Sequence, residues 1–299
     1  MHKRKVLASS ARHATAAVII VLGLWAACYP LITTGLSHAP HLTFAAIRAV
    51  LPGSALLIVA AVIRAPLPRG RETWGWLCVA GFGATTLGDL GMFHAAEFVA
   101  PGFATIIANS QPLIAAVLAH AVLKERLGAR AQIGLTIGFL GVVVVAAPGL
   151  FSDSSASTAK GVAYVLLAAT GVSIGNVAIK RIAGAVAPSA AMGWQLIIGA
   201  APLALMAILT EDPLAISWRP EFIASLLGLS LFGTALAFWL WQSALNVMDL
   251  SRANAFSFIV PFLGILFGAF FFGEAVTPQA GAGALLAVIG IRLVLGPPR

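Results

Sequence analysis

The chain has 299 residues, of which 60% are hydrophobic and only 9% are charged. A soluble domain carries about 25% charged residues, so a soluble enzyme or soluble binding module of this length is excluded. The formal net charge of +8 would suggest nucleic acid in a soluble protein. Here the 18 Lys and Arg gather in short segments between apolar runs, where they report topology. The runs are continuous rather than alternating, which identifies helices and not strands as the spanning elements. Ten runs of roughly spanning length follow in chain order: Ala14–Gly35, Leu42–Ile63, Trp74–Ala96, Gly102–Leu123, Ala131–Ala147, Gly161–Ile179, Ala190–Leu209, Phe222–Leu245, Ala253–Phe272 and Pro278–Leu295. The expected fold class is an all-α polytopic membrane protein. Lys3, Arg4 and Lys5 ahead of a run through Ala26, Ala27 and Cys28 imitate a secretory signal. The run continues past Cys28, so the first span is expected to be retained.

The connections are short, so consecutive helices are expected to be antiparallel neighbours. The longest are a Ser-rich loop, Pro148–Lys160, and an acidic one, Thr210–Glu221. With the N-terminus placed in the cytoplasm, one side holds Lys3, Arg4, Lys5, Arg12, Arg64, Arg69, Arg71, Lys124, Arg126, Arg130, Lys180, Arg181, Arg252 and Arg299. The other side holds only Lys160 and Arg219, and Arg292 can snorkel from the last helix. Fourteen against two places both termini in the cytoplasm. Cys28 and Cys78 both lie in apolar runs and form no framework.

The chain contains an internal repeat. Pro112, Glu125, Gly134 and Gly141 read P-x12-E-x8-G-x6-G, and Pro261, Glu274, Gly283 and Gly290 read the same, at a constant offset of 149. Ala104/Ala253, Ala131/Ala280 and Thr85/Thr234 keep that offset. The halves, 1–149 and 150–299, each hold five spans. Five is odd, so they insert with opposite topology within one integral membrane domain. Inverted halves are the construction of secondary transporters, because one packing scheme then yields two mirror-related conformations.

These residues resemble the drug/metabolite transporter superfamily, specifically its EamA-type ten-helix members. The likeness covers essentially the whole chain. It rests on the two P-x12-E-x8-G-x6-G blocks, on Trp25 with Pro30, and on Arg48 in the segment Phe44-Ala45-Ala46-Ile47-Arg48. The resemblance implies small-metabolite transport, usually export, by alternating access through a central cavity. Characterised bacterial relatives include exporters of amino acids, aromatic ones among them.

Several residues are candidates for chemistry. Glu125 and Glu274 close helix hairpins at opposite faces, which suits capping of the next helix better than one central site. Arg48 is an intramembrane cation, expected either to bind a substrate carboxylate or to pair with Asp89. Asp89 sits near the middle of the third span, on a stripe of Gly81, Thr85 or Thr86, Asp89 and Phe93. The matching stripe of the eighth span is Ser230, Thr234, Phe238 and Gln242. Asp89 is the candidate proton carrier, or alternatively a hydrogen-bonded acid beside Gly88 and Gly91. His94 and Glu97 are placed toward the outer end, and His120 in an apolar setting.

Asn109, Ser110 and Gln111 precede Pro112, which bends its helix. Pro261 does the same near Ser257 and Asn254. Asn176 and Gln195 are polar groups within apolar runs, and Trp239 is an aromatic candidate beside them. Gly264 and Gly268 offer a close-packing face. The expected substrate contacts are therefore Asp89, Arg48, Asn109, Asn176, Gln195, Trp239 and Gln242.

No metal-ligand pattern, cofactor motif or catalytic constellation is present in the sequence. The reading is an exporter of small neutral or zwitterionic metabolites, amino acids first, in the bacterial inner membrane. The expected partners are a small-molecule substrate and the lipid bilayer, with no nucleic acid and no obligate protein partner. A carrier of phosphorylated or nucleotide sugars would need several buried cations. A lipid-modifying enzyme would need an acid–histidine cluster at one face. A receptor or scaffold would need no inverted repeat.

Overall fold

A computed structural model describes residues 2–95, 98, 107–150, 156–260, 262–263 and 278–295. Glu97, Pro261, Gly264, Gly268 and Glu274 lie outside the described residues. Within them the chain forms ten helical segments and no β-strand: α1 His2–Leu36, α2 His41–Val62, α3 Arg71–Ala95, α4 Gln111–Leu123, α5 Ala129–Leu150, α6 Ala156–Arg181, α7 Pro188–Thr210, α8 Pro220–Leu245, α9 from Leu250 and α10 Pro278–Leu295. Helices α2, α3, α6, α7 and α8 are each long and apolar enough to cross a membrane. Every spanning element is a helix because lipid offers no partner to an unpaired peptide group.

The two halves interlock through small residues. The clearest contact joins α5 and α10. A Cβ on Gly134 would lie 2.7 Å from the Gly290 carbonyl oxygen, and one on Gly141 would lie 2.6 Å from that of Gly283. The order reverses: the earlier glycine of α5 meets the later glycine of α10. The two helices therefore run antiparallel, with the repeated G-x6-G of each half seated on that of the other.

Helix α3 is wedged between α6 and α7 in the same way. Gly83 faces the Gly171 carbonyl, Gly91 faces Tyr164 and Ala168, and Gly81 faces Gln195 and Gly199. The symmetry-related α8 backs onto α1, with Gly228 against Leu31 and Gly233 against Cys28. Helices α2 and α7 cross where Gly53 meets Leu196 and Ile197 and Gly193 meets Leu57. Each of these two carries an internal proline, Pro52 and Pro202.

Two irregularities also repeat. Residues Gly81–Leu87 of α3 and Leu229–Leu236 of α8 form wide, π-helical turns at nearly the same place in each half. Ahead of each motif proline the helix is distorted as well. Asn109 and Ser110 form a turn before α4, and Phe256–Ile259 of α9 tightens into a 3-10 helix. A proline cannot donate to the preceding turn, so distortion at these places follows from its chemistry.

The glycine contacts carry a prediction. Gly134→Ala and Gly141→Ala should each lose about 1–3 kcal/mol of stability through forced separation of α5 and α10. Gly75→Ala, where nothing lies within 4 Å of the added Cβ, should leave the melting temperature in detergent unchanged.

Candidate functional site

Arg48 and Asp89 meet across α2 and α3. Arg48 Nη2 donates to Asp89 Oδ1 at 3.3 Å, with the side chains 19% and 16% exposed. Arg48 also lies 6.0 Å from the centre of the Phe93 ring. Phe93 packs edge-on against Phe44 at 6.3 Å, and Phe44 against Phe222 at 5.6 Å. The pair is thus an ionic contact set among aromatic side chains. Asp89 lies midway between the centre of α3 and its end at Ala95. That end is the one opposite the basic loops and is called the far end below. Both charges are engaged with each other, so Arg48 presents no unpaired cation in this arrangement.

The stripe that includes Asp89 faces inward. Gly81, Thr85 and Phe93 are buried and Asp89 is half-buried. In α8, Ser230, Thr234 and Gln242 are buried and Phe238 is half-buried. Four-residue spacing overshoots one face of an α-helix by about 40° per step. The wide turns of α3 and α8 unwind that drift, which keeps each stripe on one face. Thr86 uses its hydroxyl to bond the Gly199 carbonyl of α7 at 2.8 Å.

The other polar candidates divide. Asn176 of α6 accepts from Trp241 Nε1 of α8 at 3.2 Å. Trp241 stands 5.5 Å from Trp25, which stands 6.3 Å from Phe238. Ser173, one turn before Asn176, donates to the Gln111 carbonyl at the start of α4 at 3.2 Å. Asn109 and Gln195 are buried. Gln242 has no exposed surface, and neither its Oε1 nor its Nε2 has a hydrogen-bond partner among the described residues. Trp239 is not brought to this interior. It is 41% exposed, on an outward row with Phe232 and Leu236. His120 is exposed rather than in an apolar setting.

The helix ends hold interactions that the sequence reading missed or misassigned. Glu125 does not cap the next helix. Its carboxylate crosses to the other half and caps α9, accepting from Leu250 N at 3.0 Å, Ser251 N at 3.2 Å and Ser251 Oγ at 2.9 Å. Lys124, at φ 60°, stops α4 and turns Glu125 toward that target. His120 Nδ1 holds the Glu125 carbonyl at 2.9 Å. Lys180 Nζ donates to the Leu245 and Met248 carbonyls at 2.6 Å each.

At the far end Glu211 plays the same part for α2. It accepts from Leu42 N, Thr43 N and Thr43 Oγ1, each at 2.8 Å. Glu211 was not singled out from the sequence. The available signal was an acid directly after one span and a threonine opening another at the same face. Among the described residues no three His, Cys, Asp or Glu side chains gather as a metal site.

A helical membrane protein with interlocked, oppositely oriented halves is the class these contacts define. The EamA-like transporter family matches residues 14–147 and 159–296, and the chain belongs to that family. It is 30% identical over 278 residues to the uncharacterized transporter YvbV of Bacillus subtilis, covering 91% of this chain and 88% of that one. It is 27% identical to a probable amino-acid metabolite efflux pump of Salmonella typhimurium, covering 91% of each. A protein crystal structure superposes with a TM-score of 0.79 at 20% identity, over 94% of this chain and 96% of that chain. That likeness shows the shared fold.

Two stability predictions follow from the geometry. Asp89→Asn should cost about 2–4 kcal/mol because it leaves Arg48 unpaired, less than for a fully buried pair. Combining it with Arg48→Met should recover most of the loss in a thermal melt. Glu211→Ala should cost about 1–2 kcal/mol as the α2 terminus loses its acceptors, with Glu211→Gln intermediate.

Proposed function

We propose that this EamA-family transporter exports small neutral or zwitterionic metabolites, amino acids first, by alternating access across the bacterial inner membrane. The observation that carries the substrate charge is the engagement of the interior cations. Arg48 is held by Asp89, and Lys180 by two carbonyls. A phosphorylated sugar or nucleotide sugar would need several cations free to meet its phosphates. Arg292, the remaining basic residue of the last helix, is exposed. The printed name of the Salmonella relative supports amino acids as the class. The inverted packing supports exchange between two mirror-related arrangements. The Lys and Arg distribution supports cytoplasmic termini. Asn109, Asn176, Gln195 and Gln242 are the proposed neutral contacts, and Asp89 the proposed proton carrier.

Reconstitution into proteoliposomes tests this reading. Neutral amino acids are expected to move in counterflow, whereas sugar phosphates are not. Movement of sugar phosphates alone would overturn the substrate class. With a pH gradient imposed, Asp89→Asn is expected to abolish the gradient's effect while leaving counterflow measurable. A retained pH response would remove Asp89 from the coupling role.

A further inference from the structure

The turn between α8 and α9, residues 246–249, is gripped from two sides. On one side Lys180 of α6 binds the Leu245 and Met248 carbonyls at the end of α8. On the other, Glu125 of α4 binds the first amides of α9 and the Ser251 hydroxyl. Asn246 adds a bond, its Oδ1 accepting from Gly184 N, after α6, at 3.1 Å. Asp249 meets Arg252 at 3.7 Å on the same turn. A cation at carbonyl ends and an anion at amide ends each complement the local helix dipole. Helices α4, α6, α8 and α9 are thereby tied together at the basic end.

Eight buried side-chain polar atoms lack a hydrogen-bond partner among the described residues. Five of them are in the basic half of the bundle: Ser189 Oγ and Trp194 Nε1 at the start of α7, both amide atoms of Gln242 in the last turn of α8, and Asn254 Nδ2 in α9. Buried unpaired polar groups cost free energy and call for an explanation. Their concentration in the basic half, with Gln242 and Asn254 on the two helices that the turn joins, fits walls that water or solute wets in a second conformation.

We infer that the α8–α9 turn is the gate at the basic end, and that Lys180 and Glu125 hold it shut. The inference rests on the transport reading for its second conformation. At the far end the counterparts of Glu125 and of the α8–α9 turn, Glu274 and residues 97–100 apart from Phe98, lie outside the described residues. Glu211 grips α2 there and Ser225 bonds the Leu31 carbonyl, but residues 31–35 of α1 include no cation to act as a second Lys180. Lys180 acts through the turn as a positioning residue.

The test needs no substrate, so its outcome is separate from that of the counterflow panel. In a Cys28→Ala, Cys78→Ser background, Gln242→Cys or Asn254→Cys is labelled with a membrane-impermeant maleimide. Right-side-out and inverted vesicles present the two faces separately. With the clamp intact, labelling is expected to be slow from both faces. Adding Lys180→Met, or the milder Glu125→Gln, should speed labelling at least tenfold from the basic face and leave the far face unchanged. Lys180→Arg should restore slow labelling. An unchanged rate in both clamp variants overturns the gate, and so does equal acceleration from both faces.

Discussion

Helices in lipid gain little from burying apolar surface against one another, so they must be held by close packing and by satisfied polar groups. In this protein the first requirement is met where glycine meets backbone. At Gly134/Gly290 and Gly141/Gly283 there is no room for a side chain. The same holds where Gly83 meets Gly171 and where Gly81 meets Gly199. The contacts between α5 and α10, and between α3 and α6 or α7, all join one half to the other. Neither half is a free-standing bundle. Helices α3 and α8 in particular find much of their packing in the opposite repeat.

The second requirement is met across the same divide. The open amides that begin α9 are capped by Glu125 of the first half, and those that begin α2 by Glu211 of the second. A helix terminus leaves its first amides without partners, and in each case a carboxylate on another span supplies acceptors. These bonds sit at the ends of the bundle, apart from the glycine crossings. Close packing along the helices and capping at their ends thus both join one half to the other.

Much of this was legible in the sequence, for identifiable reasons. Continuous apolar runs were enough for the all-helical membrane class, and the 149-residue offset pointed to the repeat that the two family matches also mark. The inward stripes were legible too, because Thr85, Asp89 and Phe93 keep a fixed spacing, as do Ser230, Thr234 and Gln242. What a linear pattern cannot carry is the partner. Gly134 gave no sign that it faces Gly290, nor Glu125 that it reaches α9 rather than α5. Arg48 left two options open, and in this structure it pairs with Asp89. Trp239 was expected inside as an aromatic within a span, yet it stands one residue beyond Phe238 of the inward stripe, and one residue along a helix is about 100° of rotation, enough to turn it outward. Glu211 escaped because its role depends on Thr43, far away in the chain.

The reversed pairing of α5 and α10 has a further consequence. Under the exchange of halves, Gly134 maps onto Gly283 and Gly141 onto Gly290, so the contact maps onto itself. Such a surface is self-complementary, like the shared face of a two-fold dimer. A single half inserted in both directions would meet its own image through the same two glycines. Joining two copies in one chain would then require no new interface, only a linker of suitable length. The seam between α5 and α10 keeps that symmetry, while Lys180 and Glu211, opposite Leu31 and Val62 at the same offset, break it.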